Sequence, residues 1–137
     1  MEHLFAYGTL MCEDIMLEVS GCRLPSVPGT LQGYCRRGVK GEHYPAIVPD
    51  SGGRVEGVVY LNLTPGAWRR LDGFEGELYS RELVRVGLED GTSLLAAAYV
   101  LRPEFLDHLE QSGWDFADFL SHGKATFQKR YKGYHAL

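Results

Sequence analysis

Apolar residues in this chain fall mostly in short alternating runs, broken by glycine and proline, with helical spacing confined to brief stretches. Residues 3–7 read as a short apolar and aromatic strand that stops at Gly8. Residues 11–19 turn as a helix with Ile15, Met16 and Val19 on one side. A loop over 21–28 leads to a second strand, 30–36, interrupted by Gly33. Residues 38–50 read as irregular, although Tyr44-Pro45-Ala46-Ile47-Val48-Pro49 is extended and apolar. Residues 54–63 alternate, with Val55, Gly57, Val59 and Leu61 facing one way and Val58, Tyr60 and Asn62 the other. Thr64-Pro65 opens a short helix, threonine as N-cap and proline in the first turn. Trp68 and Leu71 give that helix its buried side. Two longer strands, 78–88 and 92–101, join through Asp90-Gly91, a hairpin signal. From Pro103 the tail reads as helical. A second helix after Ser112-Gly113 carries Phe116, Phe119, Leu120, Phe127 and Tyr131 along one stripe. Residues 129–134, with a glycine and two tyrosines, suit a flap. This order predicts one α+β domain over residues 1–137. Its sheet is small, mixed, mostly antiparallel, curved and barrel-like, with short flanking helices and a helical tail from about residue 103.

Composition narrows the functional classes. A length of 137 residues suits one core, and 45% apolar with 23% charged residues is the balance of a globular protein. The 17 glycines fall at sharp turns, consistent with many short strands. With 14 basic against 18 acidic residues, the basic groups (Arg36-Arg37 with Lys40, Lys129-Arg130 with Lys132) make no concentrated positive face. Nucleic acid is therefore not expected as a partner. No apolar stretch is long enough to cross a bilayer and the first residues lack a secretion signal, so no membrane partner is expected. Cys12, Cys22 and Cys35 form no Cys-x-x-Cys pair, which argues against a disulfide framework or zinc site and reads as a reducing cytoplasm.

The five histidines have no ligand spacing on a helix, and no nucleophile elbow, Walker loop or dinucleotide fingerprint occurs. Cys35 near His43 is better read as a small thiol beside a loop histidine than as nucleophile and base. Two segments stand out. In Phe5-Ala6-Tyr7-Gly8-Thr9-Leu10 a strand ends in a glycine turn and enters a helix, which exposes backbone N–H groups able to bind carboxylate or carbonyl oxygens. A plain strand-to-helix connection fits the same residues. In Leu71-Asp72-Gly73-Phe74-Glu75-Gly76-Glu77-Leu78-Tyr79-Ser80-Arg81, Glu75 sits among apolar residues and glycines. A carboxyl so held has its neutral form favoured, which brings it toward general-base strength near neutral pH. An exposed turn acid is the other reading of Glu75; Asp72 and Glu77 look like ordinary solvated acids.

Taken in order, four segments resemble the γ-glutamylcyclotransferase-like family, in particular its γ-glutamylamine cyclotransferase and AIG2-like branch. They are Tyr7-Gly8-Thr9-Leu10, Tyr44-Pro45-Ala46-Ile47-Val48-Pro49, Val55-x-Gly57-x-Val59-Tyr60, and Leu71-Asp72-x-Phe74-Glu75-Gly76 followed by Tyr79-x-Arg81. The turn reads Gly-Thr-Leu where the classical γ-glutamylcyclotransferases have Gly-Ser-Asn, which makes the amine branch the nearer match. The resemblance implies a small barrel-like fold with its cavity at the barrel mouth. It implies that Tyr7, Gly8, Thr9 and Leu10 cradle the γ-glutamyl part of a small-molecule substrate and that Glu75 is the catalytic acid. Tyr44, Tyr79 and Arg81 are candidate substrate-facing residues, and neither metal nor cofactor is needed. The expected reaction releases 5-oxoproline and a free amine or amino acid. A binding module of the same fold that releases its ligand unchanged is the alternative. A partner-binding adaptor would use the aromatic tail from Trp114 to Tyr134, a stripe better read as core.

Overall fold

The computed structural model describes residues 2–130. Its strands are β1 (Glu2–Ala6), β2 (Ser26–Val39), β3 (Pro45–Leu63), β4 (Tyr79–Leu88), β5 (Ser93–Leu101) and β6 (Leu109–Gly113). They form one sheet in the order β3-β1-β5-β4-β2-β6, and β2 also pairs with β3. That extra pairing closes five strands into a small barrel and leaves β6 outside the ring. β1 and β5 run parallel, and the other pairs are antiparallel. The curved, barrel-like α+β fold expected from the alternating pattern is what forms.

Alternation sorts side chains to the two sides of the barrel wall. Phe5, Leu31, Ile47, Val55, Val59, Val86 and Ala98 fill the interior. Leu4, Ala6, Tyr60, Tyr79, Tyr99 and Leu101 face outward onto two helices, α1 (Glu13–Ser20) and α2 (Pro65–Glu75). Ile15, Met16 and Val19 of α1 and Ala67, Trp68 and Leu71 of α2 meet them from the other side. The Thr64 hydroxyl caps α2 as expected, accepting from the Ala67 N–H at 3.1 Å. The β4–β5 hairpin turns at Gly91, where φ is +87°.

Three elements differ from the sequence reading. Residues 45–63 are one strand, not an irregular segment followed by a strand. Its pairing with β2 absorbs the prolines and glycines through a register shift beside Gly33, whose φ is +86°. A Cβ on Gly53 would lie 2.2 Å from the Tyr34 carbonyl oxygen, so close backbone approach is what the glycine there permits. The helix expected over 11–19 is preceded by a separate 3₁₀ turn, Thr9–Met11. The tail is not wholly helical: after a 3₁₀ stretch, Pro103–His108, the chain enters β6 and pairs with the second half of β2. β4 covers only Gly29 and Thr30 of β2, so the remaining edge has backbone groups for β6 to satisfy. The last turns are α3 (Phe116–Asp118), a π-helical turn (Phe119–Gly123) and α4 (Lys124–Arg130). Phe119 and Phe127 of the predicted stripe are buried, whereas Leu120 is 45% exposed. Tyr131 and residues 131–134 of the expected flap lie outside the described residues. Among the described residues no helix is long and apolar enough to cross a membrane.

Candidate active site

A cavity of about 630 Å³, counting its open mouth, lies where the Tyr7–Leu10 turn, the start of β3 and the end of α2 converge. Of the eight candidate site residues, Tyr7, Gly8, Thr9, Leu10, Tyr44, Glu75 and Tyr79 line it. Most of the lining belongs to the helix-facing layer (Leu4, Ala6, Tyr79, Tyr99, Phe74), and Phe5 and Tyr7 of the interior cluster join it. Phe127 of α4 completes the rim, in edge-to-face contact with Tyr44 at 6.4 Å and Phe74 at 6.1 Å. The aromatic tail is thus core at Phe119 and cavity wall at Phe127.

Glu75 is the last residue of α2. Gly76 follows with φ +72° and caps the helix by donating its N–H to the Asp72 carbonyl. The chain turns at this positive φ, and the Glu75 side chain is in the cavity lining. Among the described residues no hydrogen bond or ion pair reaches its carboxylate. Burial, with a smaller push from the Asp72 charge, raises its pKa from 4.5 to about 8. The negative end of α2 disfavours a carboxylate there as well. Glu75 is therefore a carboxyl that exchanges its proton close to neutrality.

Opposite it, the Met11 N–H is the first in the 3₁₀ turn to find an acceptor within the turn, the Gly8 carbonyl at 3.0 Å. Thr9 and Leu10 precede it, so their N–H groups have no intrahelical partner. Gly8 is required by packing: a Cβ would lie 2.8 Å from the Pro45 ring.

Four tyrosine hydroxyls tie the pieces of the site together. Tyr60 donates to the Leu10 carbonyl at 2.6 Å, Tyr79 to the Pro45 carbonyl at 2.8 Å and Tyr7 to the Tyr99 carbonyl at 2.5 Å. Tyr99 donates to Asp72 Oδ1 at 2.7 Å. Burial first, then hydrogen bonding to Asp72, raises the Tyr99 pKa; burial, then the Glu75 charge, raises that of Tyr7, so both stay donors. Tyr60 and Tyr99 were missed by sequence reasoning, although each is the lone hydroxyl in an apolar run of strand (Val58-Val59-Tyr60, Ala96-Ala97-Ala98-Tyr99).

Arg81 is outside the cavity lining. Its guanidinium pairs with Asp72 Oδ2 at 3.2 Å and lies over the Trp68 ring, 4.5 Å from its centroid. Asp72, read as an ordinary solvated acid, instead receives both Tyr99 and Arg81; Glu77 is exposed as expected. Cys35 is not in the lining, and burial, then the Asp50 charge, pushes its thiol above the usual range, which does not suit a nucleophile. Among the described residues no three His, Cys, Asp or Glu side chains group to hold a metal ion.

Comparison with known proteins identifies the fold and the family. The profile of the family described as "Gamma-glutamyl cyclotransferase, AIG2-like" matches residues 4–116. AIG2-like protein C of Arabidopsis thaliana is 33% identical over 125 residues, spanning 90% of this chain and 72% of that protein. A solution structure of another Arabidopsis thaliana protein superposes with a TM-score of 0.72 at 29% identity, covering 96% of this chain and 88% of that one. A structure titled γ-glutamyl cyclotransferase shares the fold, with a TM-score of 0.66 at 18% identity over 80% of this chain and 68% of that one. The chain belongs to the γ-glutamyl cyclotransferase, AIG2-like family.

Proposed function

We propose that this family member cleaves a γ-glutamyl amine or γ-glutamyl amino acid to 5-oxoproline and the free amine or amino acid, with Glu75 as general base and then general acid. The observation that carries the reading is Glu75 itself, a cavity carboxyl without a partner among the described residues and with a pKa of about 8. A γ-glutamyl substrate brings the missing counter-charge in its α-ammonium group. Glu75 takes a proton from that group, and the freed amine attacks the γ-carbonyl carbon. A C–N bond forms, closing a five-membered lactam, and the bond to the leaving nitrogen breaks. Glu75 returns the proton to that nitrogen, and the second proton that the attacking nitrogen must shed to become the lactam N–H passes the same way, so the amine leaves in its ammonium form. Because nucleophile and carbonyl share one molecule, the protein need only fold the chain, and the proximity advantage is large. In this mechanism the N–H groups of the Gly8–Leu10 turn hold the substrate carboxylate or the carbonyl oxygen as charge develops. Tyr44 and Tyr79 line the wall beside the substrate, while Arg81 acts from behind through Asp72.

The test is 5-oxoproline release from ε-(γ-glutamyl)-lysine, simple γ-glutamyl amines and γ-glutamyl dipeptides, with wild type and Glu75→Gln in parallel. Removing a general base of this kind costs about 10²–10⁴ in kcat, so the expected result is product from wild type alone, with Glu75→Gln folded. In wild type, kcat/KM should rise with pH along an acid limb centred near 8, because the free protein must shed the Glu75 proton. Unchanged turnover by Glu75→Gln would remove the mechanism. No product from folded wild type across the panel would sink the cyclotransferase reading and favour a ligand-binding module.

A further inference from the structure

Behind the glycine turn lies a cation that the mechanism above does not use. Arg36, on β2, reaches across to β1 and donates from a single nitrogen, Nη1, to the Tyr7 carbonyl at 2.7 Å and to the Glu56 carbonyl at 3.1 Å. Its guanidinium lies over the Trp114 ring, 5.5 Å from the centroid. Trp114 is fixed in turn by donating its Nε1–H to the His43 carbonyl at 3.0 Å. The Glu56 and Asp115 carboxylates lie near enough to balance the Arg36 charge. Arg36 is half-buried and absent from the cavity lining, whereas Tyr7 and Gly8 are in it.

The peptide joining Tyr7 to Gly8 is planar and trans, so its C=O and its N–H point in opposite directions. A guanidinium that binds the Tyr7 carbonyl from outside the cavity therefore turns the Gly8 N–H to the other side. A charged donor on the carbonyl also polarises the peptide and makes that N–H a stronger donor. We propose that Arg36 is a positioning residue: it holds the Tyr7 carbonyl behind the turn and so aims the Gly8 N–H into the cavity. This rests on the reading that the turn binds the substrate's γ-glutamyl part. Trp114, stacked on the guanidinium, makes the start of the tail part of the support.

The experiment compares wild type, Arg36→Lys and Arg36→Gln, each shown to melt cooperatively. The readouts are 5-oxoproline kinetics and the Gly8 amide resonance, followed during titration with glutarate as a γ-glutamyl mimic. A misaimed donor costs on the order of 100-fold. Arg36→Gln should therefore lose about that factor in kcat and raise KM as well, because the same donor holds the bound substrate. Its Gly8 resonance should move and stop responding to glutarate. Since one nitrogen makes both bonds, Arg36→Lys should recover to within about tenfold. A folded Arg36→Gln with wild-type kcat and an unmoved Gly8 resonance would overturn the proposal. If wild type releases no 5-oxoproline, the cyclotransferase reading fails by itself, and the glutarate response of Gly8 still decides the role of Arg36. If Arg36→Gln does not fold, the titration of wild type decides: Gly8 amide and Arg36 guanidinium resonances moving together support the coupling, and Gly8 moving alone defeats it.

Discussion

Inside the barrel, Leu31, Ile47, Val55, Val59 and Val86 pack with no carboxyl among them; across the same wall, the helix-facing layer carries Tyr60, Tyr79 and Tyr99 and opens onto Glu75. Both layers are well buried, yet they are held by different forces. The interior relies on shape and apolar area, which tolerate little change in volume but ask nothing of direction. The outer layer adds hydroxyl-to-carbonyl bonds that fix the turn, β3 and α2 relative to one another, and direction is what a site requires. Burial that is neutral for a valine becomes a shifted pKa for a carboxyl. Asp72 and Glu75 repeat the contrast one helical turn apart. Asp72 is exposed and paired with Arg81 and Tyr99, while Glu75 has no such partner among the described residues and holds its proton to about pH 8.

The comparison breaks most visibly if an interior truncation changes chemistry. Leu31→Ala should cost about 2–5 kcal/mol of stability, read by urea denaturation, with kcat of the folded fraction unchanged. A lowered kcat would show that the two layers are not separable. Glu75→Gln should do the reverse, losing turnover while gaining stability at alkaline pH. Between the ordinary glutamate value of 4.5 and about 8, the folded protein holds more protons than the unfolded chain. Stability therefore falls as pH rises through that window, and the neutral amide removes the loss. The gain at pH 9 should be on the order of 2 kcal/mol, reduced from the full shift because the carboxyl meets an open cavity. A melting profile as steep in pH as wild type would contradict it. Gly8→Ala drives a Cβ against the Pro45 ring and should cost about 1–2 kcal/mol, with activity lost well beyond the stability change. Equal losses in both would demote the turn to a connection. The smallest effect is expected from Asp72→Asn, which keeps an acceptor for Tyr99 but removes the charge that opposes Glu75 ionisation. The acid limb of kcat/KM should move to lower pH, and a move to higher pH would reverse the assigned sign.

The alternation of residues 54–63, the Thr64-Pro65 cap, the Asp90-Gly91 hairpin and the Tyr7–Leu10 glycine turn were legible because each is a local preference written in adjacent residues. The setting of Glu75 among Phe74, Gly76 and Leu78 was legible for the same reason, and all the candidate residues but Arg81 line one cavity. What stayed hidden depended on partners far along the chain. β6 forms because β4 leaves part of the β2 edge uncovered, a vacancy no property of Leu109–Gly113 announces. Asp72 looked solvated because its partners lie 9 and 27 positions away. Tyr7 finds its acceptor 92 positions on, and Arg36 finds the Tyr7 carbonyl 29 positions back. Local sequence sets which residues can turn, alternate, cap and carry a proton. Only the closed barrel decided which of them meet, because it brings distant strands within hydrogen-bond reach and excludes the water that would leave Glu75 an ordinary acid.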